Sequence, residues 1–157
     1  MEMTLHALAK EQNVKSSLKK YFLDNLGENA VTFDTSLAAP DVRSQEEDAV
    51  TQWYNVDFGN FGRQTLSEYL FNIYCMSRED PEGDKLAGMI DTVVGLLVDS
   101  TITDGMGRIP LYDTSALPWI QITSMIVQDV VDVSLEETED ETKMKMLSVR
   151  LRWGTII

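Results

Sequence analysis

Apolar residues recur at helical spacing near the start of the chain and predict a first helix from Thr4 to Leu26. Its apolar stripe comprises Val14, Leu18, Tyr21, Phe22 and Leu26. Gly27 follows at a position typical of a helix C-cap. The polar side carries Lys10, Lys15, Lys19 and Lys20. Because cations are favourable near a helix C-terminus, this lysine side is either a solvated face or an interface with a partner.

Alternation with period two then predicts strands. "NAVTFDTSL" is a short strand candidate, and "WYNVDF" and "SEYLFNIYC" are two longer ones. Their apolar faces consist of Tyr54, Val56 and Phe58 in the first, and of Tyr69, Phe71, Ile73 and Cys75 in the second. Gly59 and Gly62 in "GNFGRQT" predict a hairpin connection with Phe61 near its tip. Phe61 either packs back onto the sheet or docks into a neighbouring molecule.

The segment "AAPDVRSQEEDAVTQ" contains a proline, small residues and an excess of acids, and it predicts a flexible loop over about 36–52. Its acidic residues include Asp41, Glu46, Glu47 and Asp48. Loops of this length inside a domain are uncommon and are usually either functional or disordered. We expect this loop either to be an interaction loop that is ordered on assembly or to be plainly disordered.

A second helix is predicted in "REDPEGDKLAGMIDTVVGLLVDST", with Asp80 as N-cap and Pro81 at the first helical position. Its core stripe comprises Leu86, Met89, Ile90, Val93 and Leu97. Gly88, Thr92 and Gly95 lie together on the opposite side. Since glycine weakens a helix, either a partner approaches this side closely or the two glycines are merely tolerated.

The rest of the chain predicts a turn and short strand in "DGMGRIPLYD", and then a long hairpin. In "WIQITSMIVQDVVDVSLE" the apolar phase runs through Ile120, Ile122 and Ile126 and shifts to Val131, Val133 and Leu135, which predicts a bulge or a bend around Val127 to Val130. The last strand has Leu147, Val149, Leu151 and Trp153 on one face. An acidic tip at about 136–143 joins the two strands and contains Glu136, Glu137, Glu139, Asp140 and Glu141.

The order α-β-β-β-α-β-β-β predicts an α+β fold in which a mixed or antiparallel β-sheet packs against two amphipathic helices and ends in a long C-terminal hairpin. A chain of 157 residues is long enough to bury a core of its own. No composition shift marks a boundary within it, so residues 1–157 are expected to form a single domain.

Charge and cysteine content narrow the function classes. A net charge of −13 disfavours direct binding of nucleic acid, because that affinity comes mainly from Lys and Arg. The single cysteine, Cys75, cannot form an internal disulfide and suits a reducing compartment. The charged amino terminus does not resemble a secretory signal, and no apolar run approaches the roughly 20 residues of a membrane helix. These features predict a soluble cytoplasmic product that does not enter a membrane.

Candidate catalytic chemistry is sparse. His6 is the sole histidine and lies near the chain start, which makes a Ser-His-Asp or Cys-His site improbable. There is no CxxC or HExxH pattern, and the acidic tip lacks the ligand order of an EF-hand, so neither a metal nor a cofactor is expected. An enzyme that uses two carboxylates stays open as a minor alternative, although an abundance of acids does not itself indicate one.

The order of elements resembles that of the lambda-type tail terminator (tail completion) proteins of long-tailed bacteriophages, the siphophages. The resemblance rests on the amphipathic helix "SLKKYFLDNL", the strand pair "WYNVDF" and "SEYLFNIYC", the helix "DKLAGMIDTVVGLL" and the closing strand "MLSVRLRWGTII". It implies a non-enzymatic ring, usually of six subunits, in the tail or neck of a virion. Such a ring caps the tail tube, stops its polymerisation, attaches the head connector and lets DNA pass through without specific binding. Assembly takes place in the host cytoplasm.

Charge restricts how such a ring would be held together. Six copies would carry 6 × −13 = −78, so positive groups such as Lys15, Lys19 and Arg63 are expected at the contacts. Phe61, the acids of the loop, Gly88 and Gly95 are further interface candidates, and the acidic tip points either into the lumen or outward. The alternatives are another phage neck or tail component, and a monomeric acidic binding module such as an immunity-type inhibitor or a nucleic-acid mimic.

Overall fold

The computed structural model describes residues 5–27, 30–34, 51–63, 66–98, 107–134 and 142–154. A 3₁₀ turn at Ala7–Ala9 precedes two helices and six strands: α1 Glu11–Leu26, β1 Val31–Phe33, β2 Gln52–Gly62, β3 Leu66–Ser77, α2 Asp84–Leu97, β4 Arg108–Asp113, β5 Ile120–Ser134 and β6 Lys143–Gly154. The predicted order of elements and the α+β class are confirmed.

The strands form one mixed sheet in the order β1-β2-β3-β6-β5-β4. β1 and β2 are parallel, and every other neighbouring pair is antiparallel. β3 and β6 lie at the centre and pair without interruption from Leu66 opposite Gly154 to Ser77 opposite Lys143. The closing strand of the chain is therefore held on both sides, by β3 and by β5.

Both helices pack on the same face of this sheet, because residues of α1 and α2 share one core with alternate residues of the strands. The main contributors are Leu18, Phe22, Val93, Leu97, Val56, Tyr69, Phe71, Ile73, Leu147, Val149 and Leu151. The hydroxyl of Tyr21 donates to the Leu96 carbonyl at 2.6 Å and joins the two helices. The described helices and sheet thus form two layers, and both helices lie on one face of the sheet; on the other face Trp53 and Met76 are buried at one end, whereas Leu66, Leu70, Ile126 and Val131 are exposed.

The first helix begins at Glu11, so the predicted start at Thr4 is wrong. The carbonyls of the preceding 3₁₀ turn accept hydrogen bonds from distant side chains: Ala7 from Asn13 Nδ2, Leu8 from Trp153 Nε1 and Ala9 from Arg63 Nε, each at 2.9 Å. A continuous helix would direct these carbonyls to its own N–H groups. His6 caps the turn, since its Nδ1 accepts from the Leu8 N–H at 3.2 Å.

The second helix begins at Asp84, after a turn in which Gly83 adopts a left-handed conformation with φ of 77°, so the prediction of Asp80 as N-cap and Pro81 as first helical residue is wrong. Asp80 nevertheless binds the first turn of the helix from outside it. Its carboxylate accepts from the N–H of Lys85 at 3.0 Å and from that of Leu86 at 2.9 Å. Helix termini leave such N–H groups without intrahelical partners, and the sequence correctly indicated the residue that satisfies them.

β2 and β3 form the predicted hairpin, but the connection between them begins later in the chain than expected. β2 continues to Gly62, with a register shift between Phe58 and Phe61, and Phe61 pairs with Tyr69 within the sheet. Phe61 is therefore not at a hairpin tip. A Cβ on Gly59 would collide with the Leu70 carbonyl oxygen, so the irregularity in β2 requires a glycine at that position.

The bulge predicted in β5 is confirmed by a register shift between Val127 and Asp129. Met125 and Val127 are fully buried, whereas Ile126 and Val131 are exposed. In this part of β5, the alternating apolar residues noted in the sequence, Ile126 and Val131, therefore lie on the face of the sheet away from the helices.

Two of the predicted segments lie largely outside the described residues. Of the loop expected at about 36–52, residues 36–50 are outside them, and β2 already begins at Gln52. Of the acidic tip expected at about 136–143, residues 136–141 are outside them, and β6 begins at Lys143.

Candidate interaction surfaces

Two of the predicted interface lysines lie over an aromatic pair. Phe33 of β1 and Phe58 of β2 stack with ring centroids 6.0 Å apart and planes 5° from parallel. Lys15 Nζ lies 5.2 Å from the centroid of Phe58, and Lys19 Nζ lies about equally far from both rings, at 6.0 and 5.9 Å. These four residues form what we call the lysine–phenylalanine patch, in which each ammonium group faces an aromatic ring.

Two carboxylates border this patch. Lys15 Nζ lies 3.6 Å from Asp34 Oδ2, and Asp34 Oδ1 accepts from the Phe58 N–H at 2.8 Å. Burial raises the pKa of Asp57, and the hydrogen bond with Asp34 and the charge of Asp34 raise it further. Lys15 is therefore already paired within the chain, and its charge is not fully available to a partner.

Phe61 and Arg63 are brought together by the structure and tied to the fold. The guanidinium carbon of Arg63 lies 4.2 Å from the centroid of Phe61. The Phe61 ring makes edge contacts with Tyr69 at 5.8 Å and with Trp153 at 5.4 Å. Of the two interpretations of Phe61, packing back onto the sheet is the one observed here. A role for either residue in an interface stays a prediction.

Gly88 and Gly95 lie on the exposed side of α2, with open space where a Cβ would stand on either residue. Asp84 and Asp91 are exposed as well and share this side, because spacings of four, seven and eleven residues return to one face of a helix. These four residues define the α2 outer face. It is acidic and has little side-chain bulk.

The face of the sheet opposite the helices is a surface that the sequence did not identify. Four large apolar side chains are exposed there: Leu66 by 52%, Leu70 by 38%, Ile126 by 39% and Val131 by 55%. We call the outward side of β3, β5 and β6 the open sheet face. The sequence does contain an indication of this surface, namely Leu66 and Leu70 on β3 and the apolar residues Ile126 and Val131 on β5.

An ion-pair cluster lies in the middle of the open sheet face. Arg150 lies between Glu68, at 2.9 Å, and Asp129, at 3.8 Å, and Arg152 lies 3.8 Å from Glu68. The Nε–H bond of Arg150 is not aimed at the nearby Glu68 oxygen, so this contact is an ion pair without a well-formed hydrogen bond. The cluster has no net charge, in contrast to the chain as a whole.

The open sheet face is also concave. A cavity of about 310 Å³ is lined by Gly59, Leu70, Asn72, Val131, Ser148 and Arg150. A neighbouring one of about 500 Å³ is lined by Leu66, Ile126, Gln128, Arg152, Trp153 and Gly154. Gln128 Oε1 is buried and accepts no hydrogen bond from the described chain. Apolar concave surfaces with a few polar groups are typical of places where another molecule binds.

A further groove of about 640 Å³ lies between α1 and the β4–β5 connection, where it is lined by Lys19, Lys20, Leu23, Tyr112, Leu117 and Trp119. Leu117 at its rim is 87% exposed. Lys20 is paired with Asp24 at 2.9 Å, and this hydrogen bond raises the pKa of Lys20. The groove adjoins the lysine–phenylalanine patch through Lys19.

The predicted site residues thus fall into separate groups and do not form one site. Lys15 and Lys19 lie on the α1 side, Phe61 and Arg63 lie beside the 3₁₀ turn, and Gly88 and Gly95 lie on α2. The remaining candidates lie outside the described residues; they are Asp41, Glu46, Glu47, Asp48, Glu136, Glu137, Glu139, Asp140 and Glu141.

Within the described part of the chain, no three His, Cys, Asp or Glu side chains are grouped so that they could hold a metal ion. None of the helices described is long and apolar enough to span a membrane.

Comparison with solved structures supports the fold. One solved structure, whose title is only a sequence identifier, matches with a TM-score of 0.55 and 7% identity over 91% of this chain and 94% of that chain. Another, titled as the virion of a native gene transfer agent (GTA) particle, has a TM-score of 0.40 and 14% identity over 96% of this chain and 98% of that chain. The second score is too low to establish a common fold. No protein-family model matches the chain, and no curated protein sequence matches it significantly.

Proposed function

We propose that this protein is a non-enzymatic structural component of a phage-like virion, and more narrowly a tail terminator. As a single domain spanning residues 1–157, it would form a homo-oligomeric ring of six copies that caps the tail tube and stops its polymerisation. The ring would attach to the head connector and let DNA pass without specific binding. It would assemble in the host cytoplasm and remain in the virion.

The observation that supports this proposal is the arrangement of the elements. An amino-terminal amphipathic helix, a strand pair, a second helix and a closing long hairpin occur in the order that characterises the tail terminators, and here they build one helix-backed sheet. The last strand, β6, lies at the centre of this sheet and not at an edge. The carboxyl-terminal element that carries much of the resemblance is therefore an integral part of the fold.

The decisive experiment interrupts the gene in the genome that encodes it and examines the particles by electron microscopy. A terminator's loss should leave tail tubes of irregular, excessive length without attached heads, and the wild-type gene supplied in trans should restore normal particles. Complete particles with tails of normal length would overturn the proposed role.

The solution mass of the purified protein provides a second test. Light scattering over a range of protein concentrations and salt should detect a closed species near 106 kDa, six times 17.7 kDa. Rings should be visible in negative stain. A salt-sensitive monomer that binds a basic protein would instead favour the acidic binding module.

The double variant Lys15→Glu/Lys19→Glu tests the predicted lysine contacts. It should weaken the oligomer, and the matched variant Lys10→Glu/Lys20→Glu, at the N-cap and near the middle of α1 but outside the patch, should weaken it less. Because Lys15 pairs with Asp34 in the fold, thermal melting must accompany the comparison. If the variant folds and assembles unchanged, the lysines are not ring contacts, although the ring proposal itself stands.

A further inference from the structure

We infer that the open sheet face of one copy binds the α2 outer face of the next copy, so that copies stack front to back. This inference rests on the proposed ring and names the two surfaces that build it. The occupant of the open sheet face is thus a second copy of this chain.

The first argument concerns the uncovered layer. A sheet that presents several large apolar side chains on one face normally buries them against another layer. Four of the eight large apolar side chains that are exposed in the described residues lie on the open sheet face. Clustering of this kind marks an interaction surface, whereas scattered exposed apolar residues do not. A helix layer from a neighbouring copy would complete a three-layer structure.

The second argument is charge. Four of the chain's six arginines lie on the side of the sheet away from the helices, but Glu68 and Asp129 balance Arg150 and Arg152, so the excess of positive charge beside the open sheet face comes from the exposed Arg108. Arg78 lies over the ring of Trp53, which points away from the helices, and Arg108 is opposite Ile126. In a chain of net charge −13 this is the side that an acidic surface can approach.

The α2 outer face supplies that acidic surface. Asp84 and Asp91 lie on it, and the turn before the helix adds the exposed acids Glu79 and Glu82. The acidic residues of α2 therefore lie on one side of the molecule, and the neutral ion-pair cluster with the additional positive charge of Arg108 lies on the other.

The third argument is shape. Gly88 and Gly95 carry no side chain and have open space beside them, so the backbone of α2 can come close to a partner. The open sheet face is concave and offers a cavity of about 310 Å³ beside Leu70. A slim helix surface fits a shallow depression better than a bulky one does.

Front-to-back contact has a consequence for assembly. The two surfaces differ and lie on opposite sides of one molecule, so each copy offers a free surface of each kind. Such heterologous contacts give a closed ring where the rotation between copies closes, and an open filament where it does not.

Site-directed cross-linking tests the inference directly. Leu70→Cys and Gly88→Cys proteins are prepared separately and treated with a short bismaleimide, alone and as an equal mixture, up to the highest soluble concentration. Burial raises the pKa of the native Cys75 to about 12, so it should stay unreactive, and wild-type protein checks this. We expect several-fold more cross-linked dimer in the mixture than in either sample alone.

A matched control replaces Leu70→Cys by Leu117→Cys, whose side chain is 87% exposed on the β4–β5 connection. Its mixture with Gly88→Cys should give no dimer above background. No cross-link in the Leu70/Gly88 mixture at any concentration, or equal cross-linking in the Leu70→Cys sample alone, would overturn the inference.

Gly88→Arg gives an independent readout that does not depend on a loss of folding. The side chain enters open space in the isolated molecule and improves helix propensity, but it would obstruct a close neighbour. We expect the variant to melt no lower than wild type and to lose at least tenfold in assembly affinity. A folded Gly88→Arg protein that assembles like wild type would contradict the inference.

The inference and the proposed function fail in distinguishable ways. If rings form and cap tails while the cross-link is absent, the interface is wrong and the function stands. If Leu70→Cys/Gly88→Cys in one chain yields long cross-linked ladders but the gene interruption leaves normal tails, the interface stands and the terminator role is wrong.

Discussion

The two faces of the sheet are built by the same strands and have different surroundings. On β3, Tyr69, Phe71 and Ile73 face the helices and are buried, whereas Leu66 and Leu70 face outward and are exposed. The inward residues follow one another with period two, whereas Glu68 lies between the two outward leucines. Unbroken alternation on β3 therefore indicates the face that the helices cover, but it does not reveal that apolar residues also lie on the opposite face.

The covered face is also electrostatically different. Burial raises the pKa of the Tyr54 hydroxyl to about 12, and it raises the pKa of Tyr69 still further with a contribution from Glu11. The open sheet face instead carries Arg150 paired with Glu68 and Asp129. Charged side chains are retained where water or another molecule can reach them, and neutral ones fill the interior.

The largest expected difference in the free energy of unfolding is between alanine substitutions at two adjacent residues of β3. Phe71 is 1% exposed and contacts Phe22 edge to face, so Phe71→Ala should reduce the free energy of unfolding by about 3–5 kcal/mol. Leu70→Ala, on the open sheet face, should cost about 1 kcal/mol or less in the monomer. Urea unfolding at low protein concentration measures both. Equal losses would mean that the outer face is packed within the chain after all.

A second contrast lies in the irregular end of β2. Gly59→Ala forces a Cβ against the Leu70 carbonyl and should destabilise the protein by about 1–3 kcal/mol. Gly62→Ala is the matched control, since its Cβ would meet Glu68 at the ordinary separation of 3.8 Å. Thermal melting of the two variants should separate them. A tolerated Gly59→Ala would indicate that β2 can shift its register without cost.

A third prediction concerns the attachment of α2 to the covered face and is confined to acid pH. Burial alone would raise the pKa of Asp80, but hydrogen bonds from Leu86, Lys85 and Ser77 outweigh it and hold the pKa below its usual value. A lowered folded-state pKa contributes stability above the unfolded pKa, and this is lost as pH falls through the folded pKa. The melting temperature, measured between pH 7 and pH 3, should fall with decreasing pH in the wild type and should fall less steeply in Asp80→Asn. Parallel curves would contradict it.

Much of the fold was predictable from sequence because local patterns determined it. Six strands, two helices and the bulge near Gln128 followed from periodicity and from a change of parity. The start of α1 was not predictable, because the carbonyls of Ala7, Leu8 and Ala9 accept hydrogen bonds from Asn13, Trp153 and Arg63. Two of these donors, Arg63 and Trp153, are far along the chain. A contact that joins residue 8 to residue 153 leaves no trace in the pattern of either segment.

The candidate surfaces were predicted less well for a similar reason. The exposed glycines of α2 were placed correctly, because helix geometry alone fixes their side. Lys15 was expected as a contact between copies, and its pairing with Asp34 and its position over Phe58 could not be read from the sequence. The open sheet face was missed because Ile126 and Val131, which belong to the apolar phase of β5, look like core residues in a one-dimensional pattern. Their exposure depends on where the helices pack, which is a property of the tertiary structure.

The smallest expected effects on stability concern the two exposed glycines of α2. Gly88→Ala and Gly95→Ala should each stabilise the monomer by about 0.5–1 kcal/mol, because alanine favours helix and both sites have open space. Gly27→Ala is the contrasting control: it also has space, but its φ of 89° strains any residue with a Cβ, so it should destabilise. Urea unfolding at low concentration measures all three. Higher stability of the variants at 88 and 95, with lower stability at 27, would mean that nothing within the chain packs on the α2 outer face. Lower stability at all three positions would indicate an intramolecular contact on that face, and the face could then not be the surface that stacks on a neighbouring copy.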